Sequence, residues 1–172
     1  MKEHLLNRIR IDQNNSPIPN GEWHKEANKK HCEEYEAIIE AAGGIDIQVL
    51  GIGNNGHIGF NEPGSSLFSK TRLVPLDNST RVANSQEFQN ISKVPRLAIT
   101  MGIGTILKAK RIILMAWGQM KSPVIQKAVE ANVTEHIPAS LLQQHNDTIF
   151  VLDEPAAVEL TRFKSPWLTG EI

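Results

Sequence analysis

Apolar residues recur at two different spacings along the chain. Within residues 28–42, Tyr35, Ile38, Ile39 and Ala42 recur at helical spacing with charged residues between them. This period predicts a helix with one buried face, and the glycine pair at 43–44 supplies its C-terminal cap. Comparable patterns predict further helices at residues 3–9, 102–109, 122–131, 139–145 and 155–160.

The second spacing is typical of buried strands, which are predicted at residues 45–50, 97–100, 111–117 and 148–152. The segments IILMAW and TIFVL are nearly continuous in apolar character, as expected for strands of a parallel sheet covered on both faces. Strand and helix alternate through the C-terminal two thirds, which predicts a layered α/β fold with a mostly parallel sheet. About four strands are predicted, fewer than the ~5–6 of a typical sheet. The pattern resembles an α/β protein without its first strands.

Two segments interrupt this order. Residues 14–26 contain Pro17, Pro19 and Gly21 and are predicted to form a loop. Residues 64–87 are long and polar, with Pro75 inside, and are also predicted as a loop. Long excursions of this kind are often functional. No linker divides the chain, so residues 1–172 are expected to form a single domain.

Net charge, the length of apolar runs and the cysteine count limit the kinds of partner and the location that the sequence predicts. The net charge of −1 gives no general attraction to nucleic acid or to an anionic membrane. No apolar run approaches the ~18 residues of a membrane span. The single cysteine, Cys32, cannot form an internal disulfide, which favours a cytoplasmic location. No His-x-x-x-His or cysteine cluster is present in the sequence, so no metal site is predicted.

The most informative segment is GIGNNGHIGFNEPG, which directly follows the predicted strand at 45–50. In open α/β sheets, ligands bind beyond the carboxyl ends of the strands, and glycines allow backbone to turn sharply there. Gly51, Gly53 and Gly56 match the spacing of a dinucleotide fingerprint. No helical pattern follows them, because NEPG is turn chemistry. We therefore expect no nucleotide cofactor, and no other cofactor is predicted.

His57 and Glu62 in this segment form a candidate acid/base pair. A histidine near neutral pKa can take or give a proton, and a nearby carboxylate can orient its ring. The alternative is that His57 caps a turn and Glu62 is a solvated loop acid. The glycine-dense loop after a buried strand leaves the two interpretations evenly balanced.

The longer stretch GIGNNGHIGFNEPGSSL resembles the signature of glucosamine-6-phosphate deaminases, also called isomerases, whose loop carries Asp-Gly-His followed by Phe-Asn-Glu-Pro. The similarity continues through TRL, TRVANS, VPRLAITMGIGTILKAKRIILMAWG, IPASLLQQH and DEPAAVEL. The segments LMAWG and LTRFKSPWL further resemble a longer variant in which a deacetylase-like domain follows. The resemblance implies a three-layer, Rossmann-like fold with helices on both faces of the sheet.

That family converts glucosamine 6-phosphate and water to fructose 6-phosphate and ammonia. The resemblance implies that His57 is the acid/base of ring opening and that Glu62 supports it. Asn55 stands where the family usually has aspartate. An amide can hold the imidazole but cannot stabilise its cation by charge, so His57 should be a weaker base. The alternative is that Asn55 is only a turn residue, to which asparagine is well suited.

The resemblance also implies a phosphate site. Lys121, which follows the predicted strand at 111–117, matches a phosphate ligand, although an ordinary surface lysine is the alternative. A second basic ligand is expected directly after RVANS, and here that position is Gln86. Arg81 is a weak candidate to replace it.

Arg72 and Ser65 match members of the family's allosteric site for N-acetylglucosamine 6-phosphate. The lysine and threonine that normally follow the arginine are replaced by Val74 and Pro75. That site is therefore expected to be defective, and Arg72 is equally well explained as a surface residue.

The family's main phosphate loop and the aspartate that moves the C2 proton have no counterpart before Gly21. We therefore expect N-terminal strands to be missing and the chain to be truncated. The function predicted is an amino-sugar phosphate deaminase/isomerase impaired by that loss. The alternative is a non-catalytic sugar-phosphate-binding or interaction module of the same fold. A related gluconolactonase group shares a Gly-His loop, but FNEP favours the deaminases. Exposed apolar faces and an unpaired sheet edge would favour a homo-oligomer or association with a missing segment.

Overall fold

Strands and helices alternate along most of the chain in this computed structural model, which describes residues 4–12, 15–21 and 25–168, without the side chains of residues 25 and 26. The strands are β1 (Ile47–Leu50), β2 (Arg72–Pro75), β3 (Leu97–Thr100), β4 (Arg111–Ala116) and β5 (Thr148–Leu152). The α-helices are α1 (Lys25–Ala41), α2 (Asn78–Ala83), α3 (Ile103–Ile106), α4 (Ser122–Glu130), α5 (Glu154–Ala157) and α6 (Thr161–Lys164). Short 3-10 helices lie at Leu6–Arg8, Ile91–Lys93, Gln119–Lys121, Pro138–Gln144 and Pro166–Leu168.

Three strands form a parallel sheet in the order β1-β4-β5. Leu50 of β1 lies beside Leu114 of β4, which lies beside Phe150 of β5. These side chains belong to one core cluster, which α4 and the fully buried Leu142 complete. Fully burying such an aliphatic side chain contributes ~1.5–3 kcal/mol. The predicted α/β fold with a mostly parallel sheet is confirmed.

The opposite face of the same sheet carries partly exposed apolar side chains. Ile47 and Val49 of β1 are 56% and 52% exposed, Met115 of β4 is 38% exposed, and Ile149 and Val151 of β5 are 42% and 38% exposed. Successive side chains of a strand point to opposite faces, so these residues share one face across the parallel register. Among the described residues this face is only partly covered, which differs from the prediction that the strands are covered on both faces.

The remaining two strands form a separate antiparallel pair, β2 with β3. Both β2 and α2 lie within residues 64–87, so the prediction of a long loop there is wrong. β2 has only four residues and ends at Pro75, which concealed it from a pattern search. α2 has six residues and begins after Asp77, whose side chain accepts a hydrogen bond from the backbone of Ser79. This cap was the available signal for the helix.

The other predicted helices are present with changed bounds, and the helix predicted at 28–42 is the longer α1. Residues 139–145 form the 3-10 helix Pro138–Gln144, and only Ile103–Ile106 of the segment 102–109 is helical. The segment 3–9 contains the 3-10 helix Leu6–Arg8, while Glu3 lies outside the described residues. Of the predicted loop 14–26, Asn14 and residues 22–24 lie outside the described residues, and α1 already begins at Lys25.

Candidate functional site

A tight loop leaves the carboxyl end of β1. The backbone N–H of Gly53 donates to the carbonyl of His57 at 2.9 Å, and that of Gly56 donates to the carbonyl of Gly53 at 3.0 Å. Gly56 has a φ of +87°, which other residues rarely adopt. A Cβ atom on Gly53 would lie 2.1 Å from the ring of His57. Glycine at position 53 therefore lets the imidazole lie directly against the loop, and glycine at position 56 allows the positive φ of the turn.

Asn61 anchors the far end of this loop and is fully buried. Its Nδ2 donates to the carbonyls of Ile58 at 2.9 Å and Met101 at 2.8 Å. Its Oδ1 accepts from the guanidinium of Arg72 at 2.9 Å. Leaving a buried polar group without a partner costs ~1–3 kcal/mol. These three bonds tie the loop to β2 and to the residue after β3.

His57, Asn55 and Glu62 form a connected hydrogen-bonded network. Asn55 Oδ1 lies 2.8 Å from His57 Nδ1, and Asn55 Nδ2 donates to Glu62 Oε2 at 2.7 Å. His57 Nδ1 and Glu62 Oε2 are 3.5 Å apart, and both side chains are mostly buried. Asn55 therefore stands between the imidazole and the carboxylate and contacts both.

The direction of each bond fixes the tautomer of His57. A carboxylate only accepts hydrogen bonds, so the amide of Asn55 must present its NH2 group to Glu62 and its oxygen to the imidazole. That oxygen is an acceptor, so His57 Nδ1 carries the proton. In the neutral ring Nε2 is then unprotonated and available as a base.

The second oxygen of Glu62 is held by α2. Thr80 Oγ1 donates to Glu62 Oε1 at 2.6 Å, and the backbone N–H of Asp77 approaches the same oxygen at 3.3 Å. Thr80 is buried and its Oγ1 lies 3.4 Å from His57 Nδ1. Sequence reasoning missed this contact, because a single threonine inside TRVANS carries no signal of its own.

The surroundings of His57 lower its pKa. Burial disfavours the charged ring and is the largest cause; the charge of Glu62 opposes it, and the charge of Lys121 adds to it. Asp77 contributes a smaller upward influence. The lowered pKa favours the neutral ring, which is the form that can accept a proton.

His57 and Lys121 line the same cavity, which has a volume of about 220 Å³. The other lining residues come from the loop after β1 and from α2: Ile52, Gly53, Asn54, Asn55, Ser79, Thr80, Ala83 and Asn84. Lys121 donates to the carbonyl of Ile52 and to Asn54 Oδ1, both at 2.8 Å. Burial lowers the pKa of Lys121. An ammonium group has three donors, so one remains for an anionic ligand.

The two candidates for a second phosphate ligand lie elsewhere. Gln86 is exposed and does not line this cavity. Arg81 donates from Nη2 to the carbonyl of Ile91 at 2.9 Å and approaches that of Val94 at 3.4 Å. Its guanidinium therefore supports the turn that precedes β3.

Arg72 and Ser65 are brought together at a second cavity. Arg72 Nη2 lies 3.2 Å from Ser65 Oγ, and both residues line a cavity of about 550 Å³ with Glu62. Val74 and Pro75, which lie in β2, also line this cavity. Burial lowers the pKa of Arg72.

In the part of the chain that the structure describes, no group of three or more histidine, cysteine, aspartate or glutamate side chains is arranged to hold a metal ion. No helix there is long and apolar enough to cross a membrane.

Comparison with known proteins identifies relatives along most of the chain. The family described as glucosamine-6-phosphate isomerases/6-phosphogluconolactonase matches residues 1–151. A glucosamine-6-phosphate deaminase of Clostridioides difficile is 47% identical over 160 residues, which cover 93% of this chain and 64% of the relative. A putative glucosamine-6-phosphate deaminase-like protein of Bacteroides thetaiotaomicron is 46% identical over 168 residues, covering 98% of this chain and 25% of that protein.

Solved structures also match this chain. The structure of a monomeric glucosamine-6-phosphate deaminase matches with a TM-score of 0.88 and 42% identity, over 92% of this chain and 65% of that one. A 6-phosphogluconolactonase from Trypanosoma brucei matches with a TM-score of 0.66 at 19% identity, over 92% of this chain and 65% of that one, which supports the fold alone. The chain thus spans less than two thirds of the length of each of these relatives.

Proposed function

The chain belongs to the glucosamine-6-phosphate isomerase/6-phosphogluconolactonase family, and we propose that it acts on a phosphorylated amino sugar. One observation carries this proposal: His57 and Lys121 line one cavity, and His57 is tied through Asn55 to Glu62. The arrangement offers an acid/base and a cation to a single bound sugar phosphate.

Ring opening is the step that these residues are suited to perform. His57 Nε2 takes the proton of the O1 hydroxyl as the C1–O5 bond breaks, and returns a proton to O5, which leaves an open-chain aldehyde. Lys121 binds the phosphate. Glu62 and Asn55 hold the imidazole in the Nδ1–H tautomer. Ring opening would be the first step of the reaction that the family resemblance implies, in which glucosamine 6-phosphate and water give fructose 6-phosphate and ammonia.

Release of ammonia needs a further group. Moving the C2 proton requires a base, and the described residues that line the cavity include neither aspartate nor glutamate. We therefore propose that this polypeptide by itself opens the ring but releases little ammonia. The second candidate, a non-catalytic sugar-phosphate-binding module, is favoured by the amide at Asn55 and by the exposed position of Gln86.

Anomer exchange tests ring opening without any need for a C2 base. We expect the purified chain to accelerate interconversion of the α and β anomers of glucosamine 6-phosphate, measured by exchange NMR. His57→Gln should lose about 10²- to 10⁴-fold, the usual contribution of general acid/base catalysis. Binding without exchange would favour the module and remove the catalytic proposal. Robust ammonia release in a parallel assay would contradict the limit placed on this polypeptide.

Association and location remain predictions. The partly exposed apolar face of the parallel sheet, which includes Val49 and Ile149, supports self-association through that face. A single sedimenting species at monomer mass over a wide concentration range would contradict it. A cytoplasmic location is proposed from the single cysteine alone.

A further inference from the structure

We propose that Thr80 is a positioning residue for His57, acting through Glu62 and Asn55 to hold the imidazole in a single tautomer. The proposal rests on the proposed function only in giving that tautomer a use, since the geometry can be tested without substrate. Thr80 needs no contact with the reacting atoms for this role.

The Thr80 hydroxyl has a single proton, which it can donate to only one partner. Glu62 Oε1 lies 2.6 Å away and can only accept, so the proton points to the carboxylate. Towards His57 Nδ1, at 3.4 Å, Thr80 then presents an oxygen lone pair. The lone pair favours a proton on Nδ1, in agreement with Asn55 Oδ1 at 2.8 Å.

The next step is the orientation of the carboxylate. Glu62 Oε1 receives Thr80 and the longer bond from the backbone of Asp77, which leaves Oε2 directed to Asn55 Nδ2. Without the hydroxyl, only the 3.3 Å contact from Asp77 holds Oε1. Glu62 can then turn away, and only the 3.2 Å bond from the backbone N–H of His57 to Asn55 Oδ1 still orients the amide.

The consequence falls on His57. An amide held by that longer bond alone can rotate by half a turn in a fraction of the molecules and present its NH2 group to Nδ1. That donor requires an unprotonated Nδ1, so the proton moves to Nε2 and the ring can no longer accept one from a sugar hydroxyl. The charged groups that face His57 are Glu62, Lys121 and Asp77, and all three remain in a Thr80 variant.

Thr105 provides a matched control. It is also a buried threonine, and it donates to Glu36 Oε1 at 2.8 Å. Glu36 lies on α1, and neither Glu36 nor Thr105 lines the cavity that contains His57. Thr80→Val and Thr105→Val therefore remove the same chemical group from the same kind of bond in two places.

The experiment is nitrogen-15 NMR of the histidine rings at neutral pH, without ligand, with the His57 signals assigned through His57→Gln. We expect Nδ1–H His57 in the unaltered chain, in Thr80→Ser and in Thr105→Val, and a mixture containing Nε2–H in Thr80→Val. Should Thr80→Val fail to fold, Glu62→Gln is expected to give the same mixture. An unchanged Nδ1–H ring in the folded variant would overturn the proposal, as would an equal change in Thr105→Val.

These outcomes are separable from those of the proposed function. If the unaltered chain does not accelerate anomer exchange, the catalytic proposal fails while the tautomer result stands. If exchange occurs and Thr80→Val leaves both its rate and the ring tautomer unchanged, only the role of Thr80 is lost.

Discussion

Two glutamates in this structure bind buried threonine hydroxyls and yet serve different purposes. Glu36 on α1 concentrates its contacts on one oxygen, Oε1, which accepts from the backbone and hydroxyl of Thr71 and from the hydroxyl of Thr105. Glu62 divides its contacts, with Oε1 held by Thr80 and Oε2 joined to Asn55. Through these bonds Glu36 connects α1 to Thr71, just before β2, and to Thr105 in α3. The second fixes one oxygen so that the other can orient an imidazole.

A buried hydrogen bond from threonine to glutamate does not by itself distinguish the proposed catalytic carboxylate from a structural one. What distinguishes Glu62 is its second oxygen, which leads within two hydrogen bonds to a histidine that lines a cavity with Lys121. Burial would raise the pKa of Glu36, but the hydrogen bonds from Thr71 and Thr105 outweigh it and lower the pKa. Such a shift marks structural stabilisation here, although perturbed pKa values often mark active sites.

Exchanging each glutamate for glutamine should separate the two roles by the largest effect. Glu62→Gln removes the carboxylate that orients Asn55, so anomer exchange should fall about 10- to 150-fold, the scale of ~1.5–3 kcal/mol for a bond to a charged group. Glu36→Gln should leave exchange unchanged and reduce the free energy of unfolding by ~1–3 kcal/mol. Exchange NMR and urea denaturation measure the two effects.

Glu34→Gln is a suitable control for the stability arm, because Glu34 lies on the same helix with a side chain 54% exposed. Its removal should change stability little, since exposed ion pairs contribute ~0–1 kcal/mol. If Glu36→Gln lowers the exchange rate as much as Glu62→Gln does, the division of roles between the two carboxylates is wrong.

Lys121→Ala tests whether Lys121 binds the phosphate of a ligand in the cavity that it shares with His57. Its ammonium group lies in the cavity with two donors used by Ile52 and Asn54, so binding of a sugar phosphate should weaken by ~1–3 kcal/mol. Lys110→Ala is the matched control, because Lys110 is exposed and paired with Asp46 away from the cavity. Calorimetric titration that gives equal affinities for both variants would contradict the phosphate assignment.

Sequence patterns predicted the buried scaffold better than the contacts of the site. The strands 97–100 and 148–152 have the predicted bounds, because apolar runs between turn residues report burial directly. β2 has four residues and ends in a proline, so local pattern favoured a loop. The pairing of β2 with β3 is decided by tertiary packing, which periodicity does not record.

In the candidate site too, residues close together in sequence were predicted better than contacts between distant segments. His57, Asn55 and Glu62 lie within eight consecutive positions, 55–62, and a glycine-rich segment after a strand pointed to them. Thr80 meets Glu62 across 18 positions, and Lys121 meets Asn54 across 67. Such contacts depend on where α2 and α4 pack. For Lys121 the family resemblance supplied a candidate, whereas for Thr80 nothing in the sequence did.

The smallest expected effect concerns acid stability and returns to Glu36. Its pKa is lowered in the folded chain, so the unfolded chain binds the proton more readily. Its contribution is therefore full above the unfolded pKa of ~4.3 and is lost as pH falls through the folded value. Glu36→Gln lacks a titrating group at this position. The difference in unfolding free energy between the two chains should hold steady near neutral pH and shrink below about pH 4. Urea denaturation across that range measures it, and a gap that stays constant in acid would mean that the threonine bonds to Glu36 do not favour its ionised form.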